Sequence, residues 1–189
     1  MQCTENLTIA FVNDLLDKEK PDLVVFSGDA ITVRDWALKD AALDAALGPV
    51  EARGIPYAYI MGNHDDDWVY DRQEIMDKLL LRELAYVESG PRTIQGVGNY
   101  VLDIKPPVAA TNGDEWGDPN STVFRLYFLD SNKNRDAELF PKIRSRYDWI
   151  RPEQIAFYRE LSLRNREADA GVVPAIMFFH IPIPEYSSI

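Results

Sequence analysis

Residues 55–67, IPYAYIMGNHDDD, carry an apolar, aromatic segment straight into Gly62-Asn63-His64 and three aspartates. The apolar part is short and bounded by Gly54 and Gly62, so it reads as a buried strand opening into a loop. The same pattern stands upstream in DLVVFSGD, residues 22–29, where an apolar run ends in Ser-Gly-Asp. It returns near the end in VVPAIMFFH, residues 172–180, which closes on His180. Two further strands are expected in GNYVLDI, 98–104, and TVFRLYFLDS, 122–131, flanking a polar, mobile loop from Pro106 to Asn120.

Helical patterns fill the intervals. Residues 4–19 have Thr4 as N-cap, Leu7, Phe11, Val12 and Leu15 on one face, and Pro21 as a stop. Residues 35–54 read as helical, with Gly48-Pro49 as a break and Gly54 as terminator. Residues 71–84 place Ile75, Met76 and Leu79 together, and a last helix follows Tyr147, with Pro152 in its first turn. Strands alternating with helices predict an α/β fold with parallel pairing. In such sheets chemistry gathers beyond the carboxyl ends of the strands. Three strands here end in a candidate ligand: Asp29, then Asn63 with His64, then His180.

The length of 189 residues suits a single domain, 1–189. A formal charge of −11 argues against nucleic acid as a partner, since phosphate backbones call for a basic surface. One cysteine, Cys3, excludes an intrachain disulfide and a cysteine-rich zinc site. No apolar run reaches the length of a membrane span. MQCTENLTIAF lacks the basic and apolar regions of a signal peptide, which leaves the compartment open with a slight leaning to the cytoplasm.

Several motifs fail on inspection. A calcium loop counted from Asp65 needs glycine sixth and glutamate twelfth, but those positions hold Tyr70 and Met76. Gly96-Val97-Gly98-Asn99 is a lone Gly-x-Gly with no helix after it, and no P-loop is present. Taken singly, Asp29 reads as a turn residue and His180 as a buried neutral histidine.

Gly62-Asn63-His64-Asp65 differs because each residue has a task in one chemistry. Glycine turns the chain off the strand, and the asparagine oxygen is a hard, neutral ligand for a divalent cation. Histidine can serve a phosphate oxygen, while the following aspartate holds its other nitrogen. Asp66 and Asp67 are left as solvated loop residues.

These residues resemble the calcineurin-like metallophosphoesterases, whose motif series is D-x-H, G-D-x-x, G-N-H-[DE], a lone His, then G-H-x-H. Gly28-Asp29, Gly62 to Asp65 and His180 match the second, third and fourth. KPDLVVFSGD, YFLDS, YDWI and FFHIPIPEY are similar to the plant and fungal branch related to purple acid phosphatases. The resemblance implies a β-sandwich flanked by helices in an α/β/β/α order, incomplete at both ends because the first and last motifs are lacking. It implies two divalent metal ions, with Asp29 bridging and Asn63 and His180 holding the second. His64 is then the catalytic imidazole, supported by Asp65. Thr32 stands where purple acid phosphatases have a tyrosine ligand, so a purple Fe(III) centre is not expected, while manganese, zinc and iron–zinc fit equally.

The implied activity is phosphomonoester hydrolysis by a metal-bridged hydroxide, on a phosphorylated small molecule or a phosphoprotein. The alternative is a truncated, inactive member serving as a remnant or binding module. No basic cluster near the motifs in sequence names the substrate.

Overall fold

The β-rich runs at Val24–Phe26 (β1) and Tyr57–Tyr59 (β2) pair in parallel, with Val24 opposite Tyr57 and Phe26 opposite Tyr59. The computed structural model describes residues 5–68, 70–106, 120–169 and 172–183. A second sheet has the order β3-β4-β5, from Tyr100–Ile104, Phe124–Phe128 and Ala175–Phe178. The helices are α1 (Glu5–Glu19), α2 (Lys39–Glu51), α3 (Arg72–Leu79) and α4 (Pro152–Ala168). The fold is therefore α/β, as expected.

Both sheets contribute to one core, in which Leu43, Leu47, Tyr57, Tyr59, Met76 and Phe128 are wholly buried. Tyr100 joins the sheets. Its ring stacks on Phe128 at 4.4 Å, and its hydroxyl donates to the Tyr59 carbonyl at 2.8 Å. The same hydroxyl accepts from the Tyr59 amide at 3.2 Å, which satisfies backbone groups of β2 that no strand pairs.

Four expectations are corrected. Pairing is mixed: β1–β2 and β4–β5 are parallel, but β3–β4 is antiparallel. A parallel neighbour needs a long crossover, usually helical, and no helix pattern separates these two strands. Gly48-Pro49 does not break α2, which continues through Pro49 to Glu51. The stop comes at Gly54, with φ at +65° and the Ile55 amide returning to the Val50 carbonyl.

The helix expected over 71–84 ends at Leu79, and Arg82 beyond it turns back to pair with Asp44 and Glu51 of α2. On α1 the buried residue is Leu16 with Val12 beside it, while Leu7, Leu15 and Phe11 (67% exposed) face outward. Arg53 reaches from the end of α2 to Asn13 and Asp17, tying α1 to α2. Thr4 and most of the Pro106–Asn120 loop lie outside the described residues. No helix among the described residues is long and apolar enough to cross a membrane.

Arg125 fastens the second sheet to α4. Its buried guanidinium binds Asp103 at 2.6 Å and Asp169 at 2.8 Å. Burial disfavours the Asp103 carboxylate, but the Arg125 guanidinium outweighs it and holds the group below its usual pKa. Replacing Arg125 by alanine takes this partner from Asp169 and leaves Asp103 only Thr122 and the more distant Lys105, and is expected to lower unfolding free energy by about 2 kcal/mol. A depressed carboxylate contributes stability above its unfolded pKa and loses it as pH falls through the folded value. The difference between native and Arg125→Ala proteins in urea melts should therefore narrow below about pH 4.

Candidate metal centre and phosphate site

Asp65 organises the loops that follow β1 and β2. Its buried carboxylate accepts from the Asp29 amide at 2.9 Å, Gly62 amide at 2.6 Å, Ile31 amide at 3.1 Å and Tyr59 hydroxyl at 2.8 Å. Burial, then the neighbouring Asp65 charge, push the Tyr59 hydroxyl well above its ordinary pKa, so it stays a donor. With both oxygens engaged in this way, Asp65 is a positioning residue for the loops.

The support expected for the His64 ring from Asp65 is given by Asp67 instead. His64 Nδ1–H donates to Asp67 Oδ2 at 2.6 Å, and this bond, ahead of every other influence, raises the imidazole pKa. The partly exposed ring keeps Nε2 for a ligand. Asp66 is likewise no solvated loop residue: its carboxylate is almost fully buried, 2.9 Å from Lys133 Nζ and 3.7 Å from Arg72 Nε.

Asp29, His64 and His180 do converge. Asp29, held at φ +55°, accepts the His64 amide on Oδ1 at 2.8 Å. Its Oδ2 lies 3.1 Å from His180 Nε2. Two glycines make this approach possible. A Cβ on Gly62 would stand 2.1 Å from Asp29 Oδ1, and one on Gly28 would stand 2.6 Å from the Gly62 amide and His180 Nδ1.

The donor set suits a divalent cation. His180 Nδ1–H donates to the Ser27 carbonyl at 2.8 Å, which aims Nε2 at the carboxylate. A nitrogen and a carboxylate oxygen 3.1 Å apart need a positive centre between them, a proton or a metal ion. Asn63 is 5% exposed at the turn after β2, between Gly62 and His64, and carries a neutral amide oxygen of the kind a divalent cation accepts. Among the described residues no three His, Cys, Asp or Glu side chains gather to hold a metal, so these chemistries amount to a partial site.

Support comes from residues the sequence reading passed over. Arg72, at the start of α3, donates to the Gly62 carbonyl at 2.8 Å, the Asn132 carbonyl at 2.9 Å and Asp130 at 3.2 Å. Burial raises the Asp130 pKa, with Arg72 opposing it. The Val97 amide donates to Asp130 at 2.8 Å, and Gly96 passes where a Cβ would meet Asp130 at 2.8 Å. The rejected Gly96-Val97-Gly98 was thus a genuine close-approach signal, directed at a carboxylate rather than a nucleotide.

Beside His64 opens a cleft of about 640 Å³, with Arg34, Asp67, Trp68 and Arg146 on its walls. Its two arginines are far apart in sequence, which is why no basic cluster was visible there.

A profile described as calcineurin-like phosphoesterase matches residues 5–188. The chain belongs to that family. Calcineurin-like phosphoesterases are metal-dependent and act on phosphorylated substrates. This one is 35% identical over 98% of its length to "Probable inactive purple acid phosphatase 29" of Arabidopsis thaliana, covering 48% of that protein. It is 32% identical over 97% of its length to the Arabidopsis "Probable inactive purple acid phosphatase 28", covering 47% of it. To "Phosphatase DCR2" of Saccharomyces cerevisiae it is 36% identical over 96% of its length and 30% of that protein. The calcineurin-like chain described here thus spans less than half of each of these relatives. No solved structure matches it significantly.

The glycine at 62 yields a direct test. Gly62→Ala drives a methyl group into the Asp29 carboxylate, so denaturant melts should show a loss of about 2 kcal/mol or more. Mn²⁺ binding, measured by calorimetry, should weaken at least tenfold in the same variant.

Proposed function

We propose that this protein hydrolyses phosphate esters with divalent metal ions, Asp29, Asn63 and His180 acting as ligands and His64 as the acid facing the leaving group. The supporting observation is the placement of His64: its amide is fixed on Asp29 and its ring on Asp67, so the imidazole stands beside the proposed ligands. When bound, a divalent cation supplies Lewis-acid polarisation of the phosphate and neutralises its charge. Asp67 retains the Nδ1 proton, leaving the Nε2 proton of imidazolium for the departing alkoxide. Asp65 keeps the backbone of Asp29 and Gly62 in place while this proton moves. Thr32, three residues after Asp29, provides no phenolate, so no coloured tyrosinate centre is expected.

A second reading is supported by the absence of a three-residue metal cluster among the described residues, and by relatives named "Probable inactive" purple acid phosphatases. On that reading the chain binds a phosphate ester without turning it over.

Hydrolysis of an aryl phosphate with added Mn²⁺ separates the two. The phosphoesterase reading expects turnover that chelation abolishes, and a fall in kcat of about 100-fold or more in His64→Ala. Asp67→Asn should cost about tenfold, largely in kcat. Phosphate release at the same rate from native and His64→Ala proteins would remove His64 from the mechanism. Metal and phosphonate binding without any release would favour the second reading.

A further inference from the structure

The cleft beside His64 has a charge character opposite to that of the chain. The protein carries a formal charge of −11, and its interior arginines, Arg72, Arg82 and Arg125 among them, are neutralised by carboxylates. Arg34 and Arg146 line this cleft, and neither meets a carboxylate among the described residues. Asp67, also on the cleft wall, is already committed to His64 at 2.6 Å. Arg146 lines the same cleft as His64, so its charge faces the reacting region.

Arg34 is held in place by Trp68. Its guanidinium lies 4.8 Å from the centre of the indole ring, in cation–π range. Trp68 is 67% exposed and sits at φ +71°, a left-handed conformation that bulky residues rarely adopt. Strained backbone of this kind concentrates at ligand sites, and here it stands an aromatic ring upright as the backing of a cation. At about 640 Å³, the cleft has room for far more than a phosphate group.

We propose that Arg34, backed by Trp68, and Arg146 recognise a second anionic group on the leaving-group side, so the preferred ligands are phosphate esters bearing an additional carboxylate or phosphate. This rests on the phosphate site proposed above and adds the class of substrate. Guanidinium forks make paired, charge-assisted hydrogen bonds to carboxylate or phosphate oxygens, which an uncharged leaving group cannot accept.

Calorimetry with phenylphosphonate and 4-carboxyphenylphosphonate in the presence of Mn²⁺ tests this without turnover. The carboxylated compound should bind the native chain at least tenfold more tightly. Arg34→Gln and Arg146→Gln, both at exposed positions, should each reduce that preference at least threefold, and the double variant should abolish it. A paired comparison of phosphoserine peptides flanked by Asp or by Asn locates the source of the anion. A tenfold gain from Asp indicates a protein substrate, and a gain confined to the aryl phosphonate a small molecule. Equal affinities in the native chain, no binding of either phosphonate, or a preference surviving in the double variant would overturn the proposal. Anion preference without phosphate-ester hydrolysis would contradict the phosphoesterase reading alone. Hydrolysis without anion preference would contradict this one alone.

Discussion

The site depends on a buried carboxylate that makes no contact with a ligand. Asp65 ties three backbone amides and one tyrosine hydroxyl together, drawn from β2 and the loops after β1 and β2. A buried carboxylate is costly unless fully hydrogen-bonded, so this arrangement is close to all-or-none. Once formed, it fixes where Asp29 leaves its strand and where Gly62 turns. The contacts of Asp29 with His64 and His180 follow from that placement.

Around this clasp the residues are chosen for close approach. Gly28 and Gly62 admit Asp29 and His180 where any Cβ would collide, and Gly96 does the same for Asp130. Arg72 then holds the Gly62 loop from below through its carbonyl, with Asp130 balancing the charge. The candidate site is thus held by backbone positions locked by two buried carboxylates, Asp65 and Asp130.

Much of this was legible in the sequence. Strand-end residues Asp29, Asn63, His64 and His180 were evident because short apolar runs ending in polar residues have a local signature. The family followed from motif order and is confirmed over residues 5–188. What escaped depends on distance in sequence. Asp65, Asp66 and Asp67 are chemically alike, and only the turn of the loop decides which meets His64, which meets Lys133 and which faces the backbone. The outward stripe of α1 escaped because its packing partner, α2, to which Arg53 ties Asn13 and Asp17, is set by the fold. The cleft arginines, Arg34 and Arg146, are far apart in sequence and are brought to one cleft only through the fold.

The proposed phosphate chemistry therefore rests on a loop clasp as much as on the proposed ligands themselves. Amide hydrogen exchange of Asp29, Ile31 and Gly62 in native protein and in Asp65→Asn tests that claim most directly. These three amides should exchange slowly in the native chain and about 100-fold faster in the variant, with the His64 amide following them. Fast exchange in the native protein, or rates unchanged by the substitution, would contradict the account.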